Sequence, residues 1–285
     1  MDLQVRPLTS ALGAQVSGVD LRTDLDSATV DAIRRAWLEH LVLVFPGQDI
    51  TPQQQIRFTR QLGLVEEYPL VPYRLPGFPE IFLLTNMNAD GTVSQTANNA
   101  RHWHSDLSFT SKPAMGSMLR CVQIPQVGGT TAFANQYLAY EGLSPAFREM
   151  IEPLQSVHEL FSKNKNKEDL DQGQVRDMKM QNPRIAQPVV RVHDETGRKA
   201  LYVSEALSTD IVGMSREESD LILNYLFKQQ TRMEFTYRHA WKQHDIVLWD
   251  NRCTLHMAVA DHQHAEPRVM YRTTLVGEPC GRVVA

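Results

Sequence analysis

The chain has 285 residues, 42% of them hydrophobic and 22% charged, with a formal net charge of -4 at pH 7. These proportions suit a chain that buries a sizeable core, and one β-rich domain over 1–285 accounts for the length. The slightly acidic balance lacks the clustered Lys and Arg that displace counterions from phosphates, so nucleic acid is excluded as the expected partner.

In chain order, the opening residues Met1 to Pro7 lack the charged-then-apolar pattern of a secretory signal. No apolar run approaches the roughly 20 residues of a membrane helix, so no membrane partner is expected. Val30, Ile33, Ala36 and Trp37 repeat at helical spacing behind Asp26 and Ser27, predicting a helix over 27–40. The apolar run Leu41 to Phe45 predicts a buried strand that stops at Pro46-Gly47. Thr51-Pro52-Gln53-Gln54 has the form of a capping box with proline at the first helical position, and predicts a helix ending near Gly63. Ser144-Pro145 starts another helix, and Ser215-Arg216-Glu217-Glu218 is a second capping box opening a helix through Leu221, Leu223 and Leu226. The polar, poorly patterned stretch 161–183 is expected to be a loop, either a lid or a solvated excursion. Alternation at Phe235, Tyr237, His239 and Trp241, the run Ile246 to Trp249 and the β-branched stretch Val269 to Val276 predict strands. Cys121, Cys253 and Cys280 are odd in number, far apart and in no CxxC pair, which suits reduced thiols and a cytoplasmic location.

Chemistry concentrates in two segments. Trp103-His104-Ser105-Asp106 sets an imidazole and a carboxylate two residues apart, on one face if the segment is extended. Trp249-Asp250-Asn251-Arg252 then leads through a polar turn to His256. Two histidines and one carboxylate make the facial triad suited to iron(II), with three positions left open. His102 and His158 are competing ligands, whereas His262 and His264 lie in a polar loop and read as solvated. Downstream, Arg268, Met270 and Arg272 share one strand face. Turned inward, that face needs anionic partners for two guanidinium groups. Turned outward, it would be solvated with Val269, Tyr271 and Thr273 packed inside, and periodicity does not choose.

The chain resembles the TauD/TfdA family of 2-oxoglutarate-dependent dioxygenases over nearly its whole length. The likeness lies in Leu12 to Leu21, Ile50 to Gln55, Trp103 to Asp106, Gly128-Gly129-Thr130-Thr131, Trp249 to Arg252 with His256, and Arg268 to Thr273. It implies a β-rich α+β fold, a double-stranded β-helix (jelly roll) core with flanking helices. It also implies Fe(II) held by His104, Asp106 and His256, a 2-oxoglutarate cosubstrate bound by Thr131 and Arg268, and O2 as oxidant. A substrate anion would fall to Arg272. The family's other substrate positions correspond to Tyr68, Val71 and Leu207, which differ from those of taurine dioxygenase and argue against taurine itself.

The expected reaction is hydroxylation of a small organic sulfonate, sulfate ester or carboxylate, with 2-oxoglutarate decarboxylated to succinate. A neutral or amino-acid-like substrate is the alternative, with Arg272 then serving structure. A zinc hydrolase is also compatible with two histidines and an aspartate, but it leaves Arg268 unexplained and lacks an assignable general base. A non-catalytic jelly-roll binding protein would not need the full ligand set. Family members are often dimers or tetramers, so a homo-oligomer is expected.

Overall fold

The computed structural model describes residues 3–68, 73–88, 90–94, 101–160, 172–261 and 266–284. Its larger sheet runs in the order Gln4–Pro7, Ala14–Ser17, Val42–Phe45, Ile246–Asp250, Gly116–Gln123, Val269–Leu275, Phe78–Thr85 and Arg74–Leu75. The period of two gives these strands two apolar faces. One carries Leu43, Phe45, Met118, Ile246, Leu248 and Leu275, covered by Ile33 and Trp37 of the helix Ser27–His40 and by Phe58 and Leu62 of the helix Pro52–Leu62. The other carries Val44, Leu119, Cys121, Val247, Trp249 and Met270.

That second face meets a smaller sheet, ordered Thr236–His239, Thr131–Asn135, Thr254–Ala258. Phe133 is fully buried between the two sheets. The two layers form the jelly roll expected from the sequence, and all the described site residues lie in this sandwich or on the segments that enter it. A third apolar cluster, including Tyr140, Ile151, Val203, Leu223 and Leu226, joins the helices Gln136–Glu141, Pro145–Ile151 and Arg216–Gln230.

Both predicted capping boxes form. Thr51 Oγ accepts from Gln54 N at 3.3 Å while Gln54 Oε1 accepts from Thr51 N at 2.7 Å, and Ser215 pairs with Glu218 in the same way. The helix Pro52–Leu62 is also tied to the strand Val269–Leu275 by polar contacts. Gln55 Nε2 donates to Tyr271 O at 2.9 Å, and the Thr59 and Thr273 hydroxyls are 2.8 Å apart. Thr273 thus faces the helix, which turns Arg272 toward the barrel interior. The first helix ends where Leu41 takes φ 64°, a left-handed conformation costing about 1 kcal/mol in a non-glycine residue. Burial of the Leu41 side chain in the inter-sheet core offsets that cost.

Two expectations need correction, and one helix was not expected. Gln172–Gln181, inside the stretch read as loop, is a helix; its mixed polar pattern hid the period, and 161–171 lie outside the described residues. Gln136–Glu141 is a further short helix, started by the Asn135 side chain accepting from Tyr137 N and Leu138 N. The His104–Asp106 segment is not a strand: only His104 forms a β-bridge, and Asp106 already lies in a turn.

Candidate metal centre

The bridge joins His104 directly to His256. His104 N donates to His256 O at 3.0 Å and His256 N to His104 O at 2.9 Å. His256 is itself the third residue of the strand Thr254–Ala258, where it pairs with Phe133, rather than a residue standing alone after the turn. Backbone pairing brings the two rings to 4.2 Å between centroids. Asp106 lies two residues on, at the start of a turn in which Leu107 takes φ 55°, with its carboxylate close to both rings. His104 Nε2 is then 3.8 Å from Asp106 Oδ1, and His256 Nε2 is 3.8 Å from Asp106 Oδ2. One ligand atom from each residue lies within 4.8 Å of the others. With each imidazole Nε2 3.8 Å from a carboxylate oxygen, the three groups surround one point and need to draw in by under about 1 Å to reach the roughly 3 Å spacing of adjacent ligands on an ion bound at about 2.1 Å.

Protonation agrees. His104 Nδ1 lies 2.8 Å from the His102 carbonyl, an acceptor only, so the proton sits on Nδ1 and the Nε2 lone pair is free for a metal. Burial lowers the pKa of His104 and pushes that of His256 well below the usual imidazole range, keeping both rings neutral. Burial alone would raise the Asp106 carboxyl, but the Arg272 guanidinium, the two imidazoles and the Ser117 hydroxyl outweigh it and hold the pKa near 2. Two neutral nitrogens and an ionised oxygen are what a divalent cation takes.

Asp106 is oriented through contacts that sequence reading did not assign. Ser117 Oγ donates to Asp106 Oδ2 at 2.7 Å, Asn251 Nδ2 donates to Ser117 Oγ at 2.9 Å, and Asn251 Oδ1 accepts from Asp106 N at 3.2 Å. Trp249 Nε1 closes the chain on Asn251 Oδ1 at 3.0 Å. The signal was present in Trp249-Asp250-Asn251-Arg252, but only the fold shows that Asn251 serves Asp106. Its neighbour Asp250 is fully buried and accepts from Arg252 Nε, Nη2 and backbone N and from His193 Nε2 at 2.7 to 3.0 Å. His193, Asp250 and Cys253 form a second cluster of ligand types, but the imidazole and carboxylate are committed to these bonds, which pin the turn carrying Asn251.

The arginine face points inward. Arg272 is 6% exposed and places Nη1 2.6 Å from Asp106 Oδ1, so one anion that this face needs is the protein's own. Its guanidinium carbon lies 4.8 Å from the Phe82 ring centre and 5.8 Å from that of Tyr68, two rings stacked at 4.1 Å. Nε of Arg272 is buried without a partner. Arg268 has no carboxylate within ion-pair distance among the described residues, and desolvation draws its pKa down to about 10. It lies against the turn Gly128-Gly129, where a Cβ on Gly129 would come 3.6 Å from Arg268 Nε. That turn leads into Thr131, whose Oγ accepts from Trp241 Nε1 at 2.9 Å.

Of the other candidates, Tyr68 joins the aromatic wall and Val71 lies outside the described residues. Leu207 is buried beside the metal segment, since Ala206 N donates to Trp103 O at 3.2 Å. His158 is no ligand: it is buried between the Ser108 and Ser208 hydroxyls, 3.0 Å from each, and burial lowers its pKa to about 3. His102 offers its carbonyl rather than its ring to the site. His262 and His264 lie outside the described residues.

A jelly roll holding two histidines and one aspartate at its mouth defines a mononuclear non-heme metal enzyme of the facial-triad class. The sequence model described as "Taurine catabolism dioxygenase TauD, TfdA family" matches residues 4–274, and the chain belongs to that family. It is 36% identical to an alpha-ketoglutarate-dependent sulfate ester dioxygenase of Pseudomonas putida, over 98% of this chain and 91% of that protein. It is 33% identical to an (S)-phenoxypropionate/alpha-ketoglutarate-dioxygenase of Delftia acidovorans, over 97% of this chain and 96% of the relative. Among solved structures, AAD-2 in complex with Mn(II) and N-oxalylglycine superposes with a TM-score of 0.85 at 32% identity, covering 98% of this chain and 99% of that one.

Proposed function

We propose that the protein is an Fe(II)- and 2-oxoglutarate-dependent dioxygenase that hydroxylates a small organic anion, with His104, Asp106 and His256 as the metal ligands. The observation that carries the reading is the convergence of these three groups next to two inward arginines, one of which, Arg268, meets no carboxylate of the described chain. A desolvated guanidinium calls for an anionic partner, and the distal carboxylate of 2-oxoglutarate supplies one. N-oxalylglycine, found with AAD-2, has the same two carboxylates with an NH in place of one CH2. With metal, 2-oxoglutarate and O2 bound, the site supplies an oxidant that places one oxygen atom in a substrate C–H bond and the other in succinate, releasing CO2.

The chain's own residues do the positioning. Because Trp241 donates to Thr131 Oγ, the Thr131 hydroxyl proton is free to point at the 2-oxoglutarate carboxylate beside Arg268. Arg272 spends Nη1 on Asp106 and keeps Nε and Nη2, the side-on edge of the guanidinium, for an oxyanion. Tyr68 and Phe82 pack against that guanidinium and narrow the approach, with the buried Leu207 as a further substrate contact. The free thiols Cys121, Cys253 and Cys280 suit a reducing, cytoplasmic setting. No helix of the described residues is long and apolar enough to cross a membrane.

The test is 2-oxoglutarate consumption across a panel of sulfonates, sulfate esters, phenoxy and alkyl carboxylates, and neutral or amino-acid-like controls. One anionic class is expected to stimulate consumption with equimolar succinate. Stimulation by neutral compounds alone would overturn the assignment of Arg272 as the anion contact.

A further inference from the structure

The segment Gln126-Val127-Gly128-Gly129-Thr130 makes a tight turn, with Gly128 at φ +85° and Gly129 at φ +69°. At Gly129 the backbone passes so close to its neighbours that a Cβ would lie 2.9 Å from Ile124 Cδ1. Two carboxylates grip this turn, one at each end, and both come from the stretch between His256 and Arg268. Asp261 Oδ1 accepts from Thr130 N at 3.2 Å and Oδ2 from Thr130 Oγ at 2.6 Å. Glu266 Oε2 accepts from Gln126 N at 2.6 Å. Arg238 completes the first grip: its Nε donates to Thr130 Oγ at 2.8 Å and its Nη2 to Asp261. The Thr130 hydroxyl therefore accepts from one group and donates to another, which fixes its orientation.

The second grip reaches Arg268 through Asn86. Asn86 Nδ2 donates to Glu266 O at 2.9 Å, and Asn86 Oδ1 accepts from Arg268 N at 2.8 Å. The turn leading into Thr131 and the backbone carrying Arg268 are thereby clamped to one another, although they are distant in sequence. None of these bonds belongs to a sheet ladder, so the N–H groups at the two ends of the turn, on Gln126 and Thr130, depend on side-chain carboxylates for their partners.

We infer that Asp261, with Arg238 and Thr130, is a positioning latch for the 2-oxoglutarate carboxylate pocket, setting the spacing between Thr131 and Arg268. The inference rests on the reading of that pocket given above. Asp261 acts through the turn and touches no reacting atom. Arg238 neutralises it, so that its charge does not oppose the incoming carboxylate.

The latch is tested on the Mn(II)-loaded protein by calorimetric titration with 2-oxoglutarate, which needs no turnover, and by steady-state kinetics on the iron enzyme. Asp261→Asn removes the charge and Thr130→Val removes both hydroxyl bonds. Each is expected to weaken 2-oxoglutarate binding about tenfold, as loss of a charge-assisted hydrogen bond does. Mn(II) affinity and primary-substrate KM at saturating 2-oxoglutarate should stay unchanged, and Asp261→Glu should restore part of the binding. Unaltered 2-oxoglutarate binding in both folded variants would overturn the latch, as would equal weakening of metal and cosubstrate. Should Asp261→Asn fail to fold, Thr130→Val and Arg238→Met decide between the same outcomes. Failure of the wild-type protein to bind 2-oxoglutarate is a separate result that overturns the pocket itself.

Discussion

The strand Val269–Leu275 carries Arg272 at its middle, and Arg268 on the same face just ahead of it, in contrasting surroundings. Arg272 is held by Asp106 and backed by two stacked rings, whereas Arg268, just before the strand, has no carboxylate of the described chain to answer it. The difference teaches where outside anions belong. A guanidinium already paired can offer only its remaining edge and shares its charge with a metal ligand. An unpaired desolvated one waits for a full counter-charge, which is why burial lowers the pKa of Arg268 and nothing restores it fully.

The largest expected effect breaks the contrast at its unpaired end. Arg268→Ala should raise the KM for 2-oxoglutarate about a hundredfold, since a charged hydrogen-bond partner worth about 1.5–3 kcal/mol is lost. The substrate KM at saturating cosubstrate should change little. Arg272→Ala should do the reverse, raising the substrate KM by about tenfold or more and far beyond its effect on 2-oxoglutarate. Equal effects of both variants on both constants would end the division of labour. Ser117→Ala sharpens the comparison by leaving the Asp106 carboxylate hydrogen-bonded to Arg272 alone. Metal affinity should fall about tenfold, as for other residues that orient a ligand, with Mn(II) titration as the readout. Unchanged affinity would mean that Arg272 suffices.

The smallest effect lies away from that strand, at His158. Its pKa of about 3 in the fold is below the imidazole value near 6.5 of an unfolded chain. It therefore contributes stability above about pH 6.5 that is lost as pH falls toward 3, because the unfolded chain takes up the proton first. In urea titrations at pH 7 and pH 5, His158→Gln should narrow the loss of stability by on the order of 1 kcal/mol. An identical pH dependence would show that the fold does not lower the pKa of His158.

Much of the local structure was legible beforehand. Asp26, Thr51, Ser144 and Ser215 each begin a helix where their side chains predict one, since a cap acts on backbone groups two or three residues away. The helix Gln172–Gln181 was not legible because its polar composition carries no clear apolar stripe. At the site, residue types and order pointed to His104, Asp106 and His256, but the reason first given for His104 and Asp106, a shared strand face, fails. His104 is placed by a β-bridge to His256, and Asp106 opens the turn that follows.

By itself the sequence named the candidate ligands, the two arginines and the helix starts, because ligand type, arginine spacing and helix caps are local properties of the chain. Tertiary structure alone decided the face of Arg268 and Arg272, the pairing of Arg272 with Asp106, and the hold of Ser117, Asn251, Trp241 and Asp261 on the site. Those contacts join residues up to 166 positions apart. No period along the chain encodes them, and only the packing of two sheets around Phe133 sets their distances.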